Sequence, residues 1–172
     1  MYLTKKQSRI LYTILALFVY AVVLYISNTF TPADTYYVPL IDVVDGDTIK
    51  VLYEERIESV RLIGIDTPES VHPDETLNTA EGQSAAEHTK ELLKDVQAVY
   101  LEFDEEQRDK YGRLLAYVWL DDCKKVNTAS IKNRMLNGMI LRDGYAKNVV
   151  YKPNDKYAAE FSLIALKADK KF

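Results

Sequence analysis

Five short runs rich in β-branched and aromatic residues dominate the chain after residue 38, and turn-forming residues separate them. They predict strands over residues 39–44, 47–53, 59–65, 96–103 and 113–120. Asp45-Gly46-Asp47 breaks the first two runs, and the third ends just before Pro68, which disfavours helix at the preceding residue. The pattern therefore predicts a domain in which strands dominate the first two-thirds.

Three other segments favour helices. Glu81–Leu93 is rich in helix formers, and Leu136–Arg142 is a short apolar run followed by Gly144, a residue typical of helix ends. A last helix, to about residue 170, is predicted from a cap at Asn154 or Asp155. Strands with tight turns and interspersed helices are typical of a small barrel or an α+β sheet, and the pattern alone does not choose between them.

The uncharged run Ile10–Ile26 follows three cations and differs from the rest of the chain. Its 17 residues would rise about 25 Å as a helix, just enough for a bilayer core of about 30 Å if the ends adjust. We expect an uncleaved signal anchor; a cleaved signal peptide and a buried helix are the alternatives. The N-terminal segment, residues 1–9 with its three basic residues, then stays in the cytoplasm. Residues 27–37 are predicted to form a polar linker, and residues 38–172 a domain outside the membrane.

Composition narrows the class of protein. The chain has 172 residues, 48% hydrophobic and 28% charged, which suits one ordinary globular domain. One cysteine excludes an intramolecular disulfide, and with only two histidines a zinc centre is unconvincing. The formal charge is -4, and it is -7 after residue 33 because all three earlier charges are basic. This balance argues against coating nucleic acid by bulk charge but permits a local basic cleft.

Carboxylates cluster around the second and third predicted strands. Asp45 and Asp47 stand at the start of one strand, and Asp66 and Glu69 follow the end of the other. These ends meet in an antiparallel pair, so we expect Asp47 and Asp66 to converge, which is unfavourable unless a cation lies between them. Oxygen ligands without sulfur or imidazole favour calcium or magnesium over zinc. The alternative is that the acids only cap turns.

Two arginines accompany these acids. Arg61 shares a strand face with Ile63 and Ile65, so it is expected to point partly inward and to need an anionic partner. Arg113 opens a strand directly after a turn. Two arginines aimed at a carboxylate-bound metal suit phosphoryl chemistry, because cations stabilise the charge that builds on phosphate oxygens. The alternative for each arginine is a surface ion pair.

The chain resembles the thermonuclease (staphylococcal-nuclease-like) family in five ordered segments, DVVDGDTIKV, VRLIGIDTPES, DKYGRLLAYVWL, LNGMILRDGYAK and YKPND. The resemblance covers about residues 40–170. It implies an α+β protein with an OB-fold, a five-stranded Greek-key β-barrel with about three helices, here preceded by the N-terminal hydrophobic helix. It also implies a hydrolase, a calcium-dependent endonuclease that cleaves phosphodiester bonds of DNA and RNA and leaves 3′-phosphate ends. We expect a monomer.

The resemblance extends to individual residues at the metal. Asp47, Asp66 and the backbone carbonyl of Thr67 resemble the calcium ligands. Glu69 resembles the carboxylate that acts as general base toward the attacking water.

The remaining roles concern the substrate. Arg61 and Arg113 resemble the two phosphate-clamping arginines, Lys110 and Tyr111 resemble contacts to a nucleotide phosphate, and Tyr151 resembles an aromatic residue that packs near the base. A catalytically silent module that binds nucleic acid or protein is the alternative function, since OB-folds often bind without chemistry. Such a module has no reason to keep this combination of arginines and carboxylates.

Two departures from the family affect the substrate side. Val149 and Val150 occupy a stretch where the family often has a second tyrosine, so base stacking is expected to be weaker. Residues 120–135 form a basic stretch roughly ten residues longer than the usual turn. This insertion is either a substrate-contacting loop or a solvated insertion, and we favour the second.

Overall fold

Five strands close into a barrel in the computed structural model, which describes residues 5, 12–21, 35–71, 74, 76, 78–123 and 125–171. The barrel strands are β1 (Thr35–Asp45), β2 (Thr48–Tyr53), β3 (Arg56–Leu62), β5 (Ala98–Glu102) and β6 (Leu114–Trp119). They follow the order β1-β2-β3-β6-β5, with β3 and β6 parallel and the other pairs antiparallel. Two short strands, β4 (Ile65–Asp66) and β7 (Lys147–Asn148), pair beside the barrel. The predicted five-stranded closed barrel is confirmed.

The long strand β1 pairs with two neighbouring strands. Its first half pairs with β5 and its second half with β2, and register shifts after Leu40 and after Val43 let it bend between them. β1 begins at Thr35, inside the segment predicted as linker, because Tyr36 and Tyr37 pair with residues of β5. The predicted linker is therefore too long at its C-terminal end, and its residues 27–34 lie outside the described part of the chain.

Four helices surround the described barrel: α1 (Ala80–Leu93), α2 (Thr128–Arg134), α3 (Leu136–Arg142) and α4 (Ala158–Ala165). The predictions of α1 and α3 agree with the structure within one residue. After α3, Gly144 adopts a φ of 83°, and the N–H groups of Gly144 and Tyr145 donate to the carbonyls of Leu141 and Ile140. This is the Schellman arrangement that a glycine at this position allows.

Two helix predictions need correction. α2 lies within the 120–135 insertion, where no helix was predicted, and Asn127 and Ser130 form a reciprocal capping box at its start. The last helix begins later and ends earlier than predicted, at Ala158 and Ala165. Asn154 does not cap it, because its side chain instead bonds to the backbone N–H and carbonyl of Glu106, each at 2.8 Å.

The core fills the barrel with inward residues of alternating strand positions. Several are fully buried, among them Val51, Val60, Val99, Ala116 and Val118. The buried side chain of Asn137 joins α3 to this core: its Oδ1 accepts the Val118 N–H at 2.9 Å, and its Nδ2 donates to the Ile63 carbonyl at 2.8 Å. The end of β3, which carries Arg61, is thus tied to β6 and α3.

The predicted signal anchor, residues 10–26, lies only partly within the described residues. Residues 12–21 are helical and their side chains are exposed. In the portion of the chain that the structure describes, no helix combines the length and hydropathy needed to span a bilayer. Apart from Lys5, the predicted cytoplasmic residues 1–9 lie outside the described residues.

Candidate active site

Strand register brings Arg61 to the two carboxylates expected to converge. Arg61 of β3 lies opposite Thr48 of β2, so it sits beside Asp47, the residue before that strand. Nη2 of Arg61 lies 3.0 Å from Oδ2 of Asp47 and 2.7 Å from Oδ1 of Asp66. The two oxygens can be no farther apart than the sum of these distances. The predicted convergence is therefore present, with a guanidinium between the acids.

The plane of the Arg61 guanidinium is fixed from its other side. Nη1 donates to the carbonyl oxygens of Leu62 at 3.1 Å and Ile65 at 2.9 Å. The side chain is only 14% exposed, which agrees with the prediction of an inward arginine that has an anionic partner. Among the described residues, Nε of Arg61 donates to no acceptor, so it keeps a hydrogen for a ligand.

Asp47 is the most enclosed carboxylate of the site. Its Oδ2 accepts the backbone N–H of Thr67 at 2.9 Å and the Thr67 hydroxyl at 3.0 Å, and its Oδ1 accepts the Thr48 hydroxyl at 3.0 Å. Burial raises the pKa of Asp47 by more than Arg61 and these hydrogen bonds lower it. The arrangement therefore favours additional positive charge beside Asp47.

The loop that carries Glu69 is held by β1 and by the first turn of α1. The Ser70 hydroxyl donates to Oδ1 of Asp45 at 2.7 Å, and the Thr79 N–H donates to the Glu69 carbonyl at 3.0 Å. Gly82 packs so closely that a β-carbon there would lie 2.0 Å from the Glu69 carbonyl oxygen. Only the absence of a side chain at Gly82 permits this approach, which fixes the backbone of an otherwise exposed loop.

Arg113 is held by the turn that precedes β6. Its Nε donates to Oδ2 of Asp109 at 2.7 Å, and its side chain is 34% exposed. Burial alone would raise the pKa of Asp109, but hydrogen bonds from the Arg113 side chain and from backbone N–H groups lower it overall. Asp109 is therefore a stable anion beside the predicted clamp.

A cleft of about 540 Å³ opens between the end of β3, this turn and the segment around Tyr151. Five of the nine predicted site residues line it: Arg61, Lys110, Tyr111, Arg113 and Tyr151. Tyr111 and Tyr151 are 73% and 69% exposed, so both residues are open to a ligand. The lining does not include Val149 or Val150, the positions that depart from the family.

The other four predicted residues do not line the cleft. Asp47 and Asp66 lie behind Arg61 and contact it directly, and Thr67 is joined to Asp47 by the two hydrogen bonds described above. Glu69 follows two residues later in the same loop. The structure thus places two carboxylates, Asp47 and Asp66, apart from the cleft that is lined by arginines and tyrosines; we call this pair the carboxylate layer. Arg61 contacts the carboxylate layer and also lines the cleft.

The carboxylate layer fits a hard cation by its chemistry. It offers oxygen donors only, and Asp47 and Asp66 already share one positive group at hydrogen-bonding distance. Within the described residues, no group of three or more His, Cys, Asp or Glu side chains forms a metal-binding cluster. Protein side chains would therefore supply two carboxylates, and Asp66, at 48% exposed, is open to solvent.

Sequence reasoning missed the importance of Asp109 and Asn137. An Asp at the start of a tight turn is a known signal, since it accepts N–H groups two residues on, and the run Asp109–Gly112 carries it. That signal predicts the turn but not the hydrogen bond from Nε of Arg113 to Asp109. The polar Asn137, inside an otherwise apolar helical run, was the corresponding sign of a buried hydrogen-bonding role.

Together, these elements define a small OB-like barrel with an arginine-lined cleft on one side. Comparison with known sequences makes this specific. The sequence model described as staphylococcal nuclease homologue matches residues 59–171, and the chain belongs to this family.

Individual relatives agree. The chain is 42% identical to the thermonuclease of Staphylococcus intermedius over 75% of this chain and 69% of that protein. It is 39% identical to the thermonuclease of Staphylococcus hyicus, over 69% and 62% of the two chains. It is 40% identical to endonuclease YncB of Bacillus subtilis (strain 168), over 70% and 52%. The matched part thus spans less than two thirds of the last two proteins.

Proposed function

We propose that this protein is a calcium-dependent endonuclease that hydrolyses phosphodiester bonds of DNA and RNA and leaves 3′-phosphate ends. The observation that carries the proposal is the position of Arg61, which contacts two converging carboxylates and also lines a cleft shared with Arg113. Cations on one side and a cation-binding carboxylate pair behind them suit a phosphate whose charge increases during reaction. The relatives named thermonuclease and endonuclease support nuclease activity.

In the proposed reaction a water molecule attacks the phosphorus and passes its proton to Glu69. The bond between phosphorus and the 5′-oxygen breaks, and that oxygen leaves with a proton from solvent. Arg113 stabilises the charge on the non-bridging oxygens through its paired Nη groups, because a planar guanidinium matches two phosphate oxygens at once. Arg61 adds the single Nε–H that its protein partners leave unbound. The packing of Gly82 against the Glu69 carbonyl fixes the loop that carries this proposed base. A fixed position matters because catalytic geometry tolerates little displacement.

Calcium would be held by Asp47, Asp66 and the carbonyl of Thr67. It would supply positive charge that polarises the phosphate and binds water. Calcium accepts 6 to 8 oxygens, so solvent and substrate must complete its shell. The protein's own contribution is the buried Asp47, whose hydrogen bonds from Thr67 and Thr48 fix both of its oxygens.

The substrate is proposed to be single-stranded or locally opened nucleic acid. Lys110 and Tyr111 would contact a phosphate, and Tyr151 would pack near a base, as exposed aromatic rings commonly do in single-strand recognition. A monomer suffices, since one chain supplies every proposed group. The domain's negative charge is compatible with turnover, because the lining of the cleft carries more cations than acids: Arg61, Lys110, Arg113 and Lys152 against Glu106 and Asp109.

The proposed location is the outer side of the cell membrane, with residues 10–26 as an uncleaved anchor; secretion after cleavage is the alternative. The support is the sequence alone: three cations precede an uncharged run of 17 residues.

The test is the chemistry of the products. Purified protein should cut a 5′-labelled single-stranded oligonucleotide in calcium, and phosphatase treatment should shift the product bands, since each carries a 3′-phosphate. Products with 3′-hydroxyl ends would overturn the proposed bond cleavage. Binding without any cleavage would identify a silent module instead.

A further inference from the structure

One carboxylate organises the Asp109 turn, which we define as residues 109–113. Oδ1 of Asp109 accepts the backbone N–H groups of Tyr111 at 2.9 Å and Arg113 at 3.0 Å, while Oδ2 accepts Nε–H of Arg113 at 2.7 Å. The backbone closes the same turn, because the Asp109 N–H donates to the Arg113 carbonyl and the Gly112 N–H donates to the Asp109 carbonyl. A single side chain thus fixes both the turn and the guanidinium.

The bond at Nε decides which part of Arg113 is available. A guanidinium carries five N–H donors in a rigid plane, so a bond at Nε also sets the direction of the two Nη groups. Over the described residues, neither Nη group of Arg113 donates to an acceptor, whereas both Nη groups of Arg61 do. The paired donors of Arg113 are therefore oriented and remain available at the cleft.

We propose that Asp109 is a positioning residue for phosphodiester hydrolysis, which holds Arg113 at Nε so that its Nη groups meet the phosphate. This inference rests on the proposed nuclease function. The geometry excludes the opposite role, in which Asp109 competes with phosphate for the arginine, because Asp109 takes Nε and leaves the paired Nη donors.

Two further contacts strengthen the assignment. Lys110 Nζ lies 4.9 Å from the centroid of the Tyr111 ring, and Arg113 Cζ lies 5.5 Å from the same centroid. Lys110 and Arg113 therefore lie against the ring of Tyr111, and all three residues line the cleft from one turn. The Asp109 side chain itself is only 15% exposed, so water competes poorly for its hydrogen bonds.

Asp109→Asn is the informative variant. The amide keeps one oxygen, which satisfies the two backbone N–H groups, but it turns an N–H toward Nε–H of Arg113. The turn should persist while the arginine loses its anchor. Asp121→Asn is a matched control, because Asp121 accepts Nε–H of Arg134 at 2.8 Å and neither residue lines the cleft.

The experiment combines kinetics with nitrogen-15 NMR of the full chain. In calcium, Asp109→Asn should lower kcat about 10²-fold, the loss expected for a displaced catalytic group. KM should change little, and Asp121→Asn should match the wild type. In the Arg113→Ala background, Asp109→Asn should cause no further loss of kcat. A similar loss in that background, or wild-type kcat in the single variant, would overturn the proposal.

NMR separates this proposal from the nuclease function. The Nε–H signal of Arg113, assigned by its absence in Arg113→Lys, should exchange slowly with water in the wild type and fast in Asp109→Asn. An unchanged signal would refute the hydrogen bond whatever the activity. If the wild type holds Arg113 but cuts no nucleic acid, the nuclease function fails, and the role of Asp109 in hydrolysis fails with it.

Discussion

Gly82→Ala should separate activity from stability. Alanine is favoured over glycine within a helix by about 1 kcal/mol, so without a neighbour this change would stabilise α1. The new β-carbon, however, would lie 2.0 Å from the Glu69 carbonyl oxygen, 2.4 Å from its carbon and 2.9 Å from the Pro68 oxygen. All three are backbone atoms, so no side-chain rotation can relieve the contact.

The magnitude follows from these distances. The Glu69 carbonyl must retreat by at least about 1 Å, a displacement that can cost about 10²-fold in rate at a catalytic group. The retreat also breaks the bond that it accepts from Thr79 N–H. Overpacking costs about 1–3 kcal/mol, which the helix propensity partly offsets, so the free energy of unfolding should fall by no more than about 2 kcal/mol.

The assay pairs initial rates on a fluorescent oligonucleotide with urea unfolding followed by circular dichroism. Ser84→Ala is the control, since Ser84 is exposed on the same helix and gains propensity without a contact. The control should keep full activity and equal or higher stability. If Gly82→Ala behaves like Ser84→Ala in both measurements, the close packing of α1 on the Glu69 loop does not position the base.

Three other experiments test the proposed base, the two arginines and the membrane topology separately. Glu69→Gln should lower kcat by about 10² to 10⁴-fold with little change in oligonucleotide binding, the range for a general base, and near-normal turnover would remove Glu69 from the mechanism. Arg61→Lys and Arg113→Lys should each lose most activity in steady-state assays, because an ammonium lacks the planar fork. An arginine whose lysine variant stays active does not act through that fork. Protease added to intact cells should digest the domain after residue 34 on immunoblots, and digestion only after lysis would contradict the outward topology.

Much of the fold could be predicted because most barrel strands carry a readable pattern. The helices α1 and α3 could also be predicted, since α1 is rich in helix formers and a glycine follows the end of α3. β4 and β7 were not predicted, because two residues are too few to show a period. The start of α4 was misplaced because Asn154 resembles a cap in sequence, whereas a tertiary contact with Glu106 occupies its side chain.

In the candidate site, too, some contacts could be predicted from sequence and others could not. The convergence of Asp47 and Asp66 followed from strand ends that meet, and the partner of Arg61 followed from its inward direction. What sequence could not supply is how the side chains are held: the bond from Asp109 to Nε of Arg113, and the approach of Gly82 to Glu69, depend on turn and helix positions. Asp109 and Gly82 are residue types that also occur in ordinary turns and helix ends, so their identity alone does not reveal these contacts.

In the proposed mechanism the carboxylate layer and the arginine cleft act together through a divalent cation. The most direct test is cleavage of single-stranded DNA by the purified protein in calcium, in magnesium and in EDTA. Magnesium prefers distances of about 2.0–2.1 Å and stricter octahedral geometry than calcium, so it should place phosphate and water differently. We predict cleavage with calcium, little with magnesium and none in EDTA, whereas full activity in EDTA would contradict the proposed role of the cation.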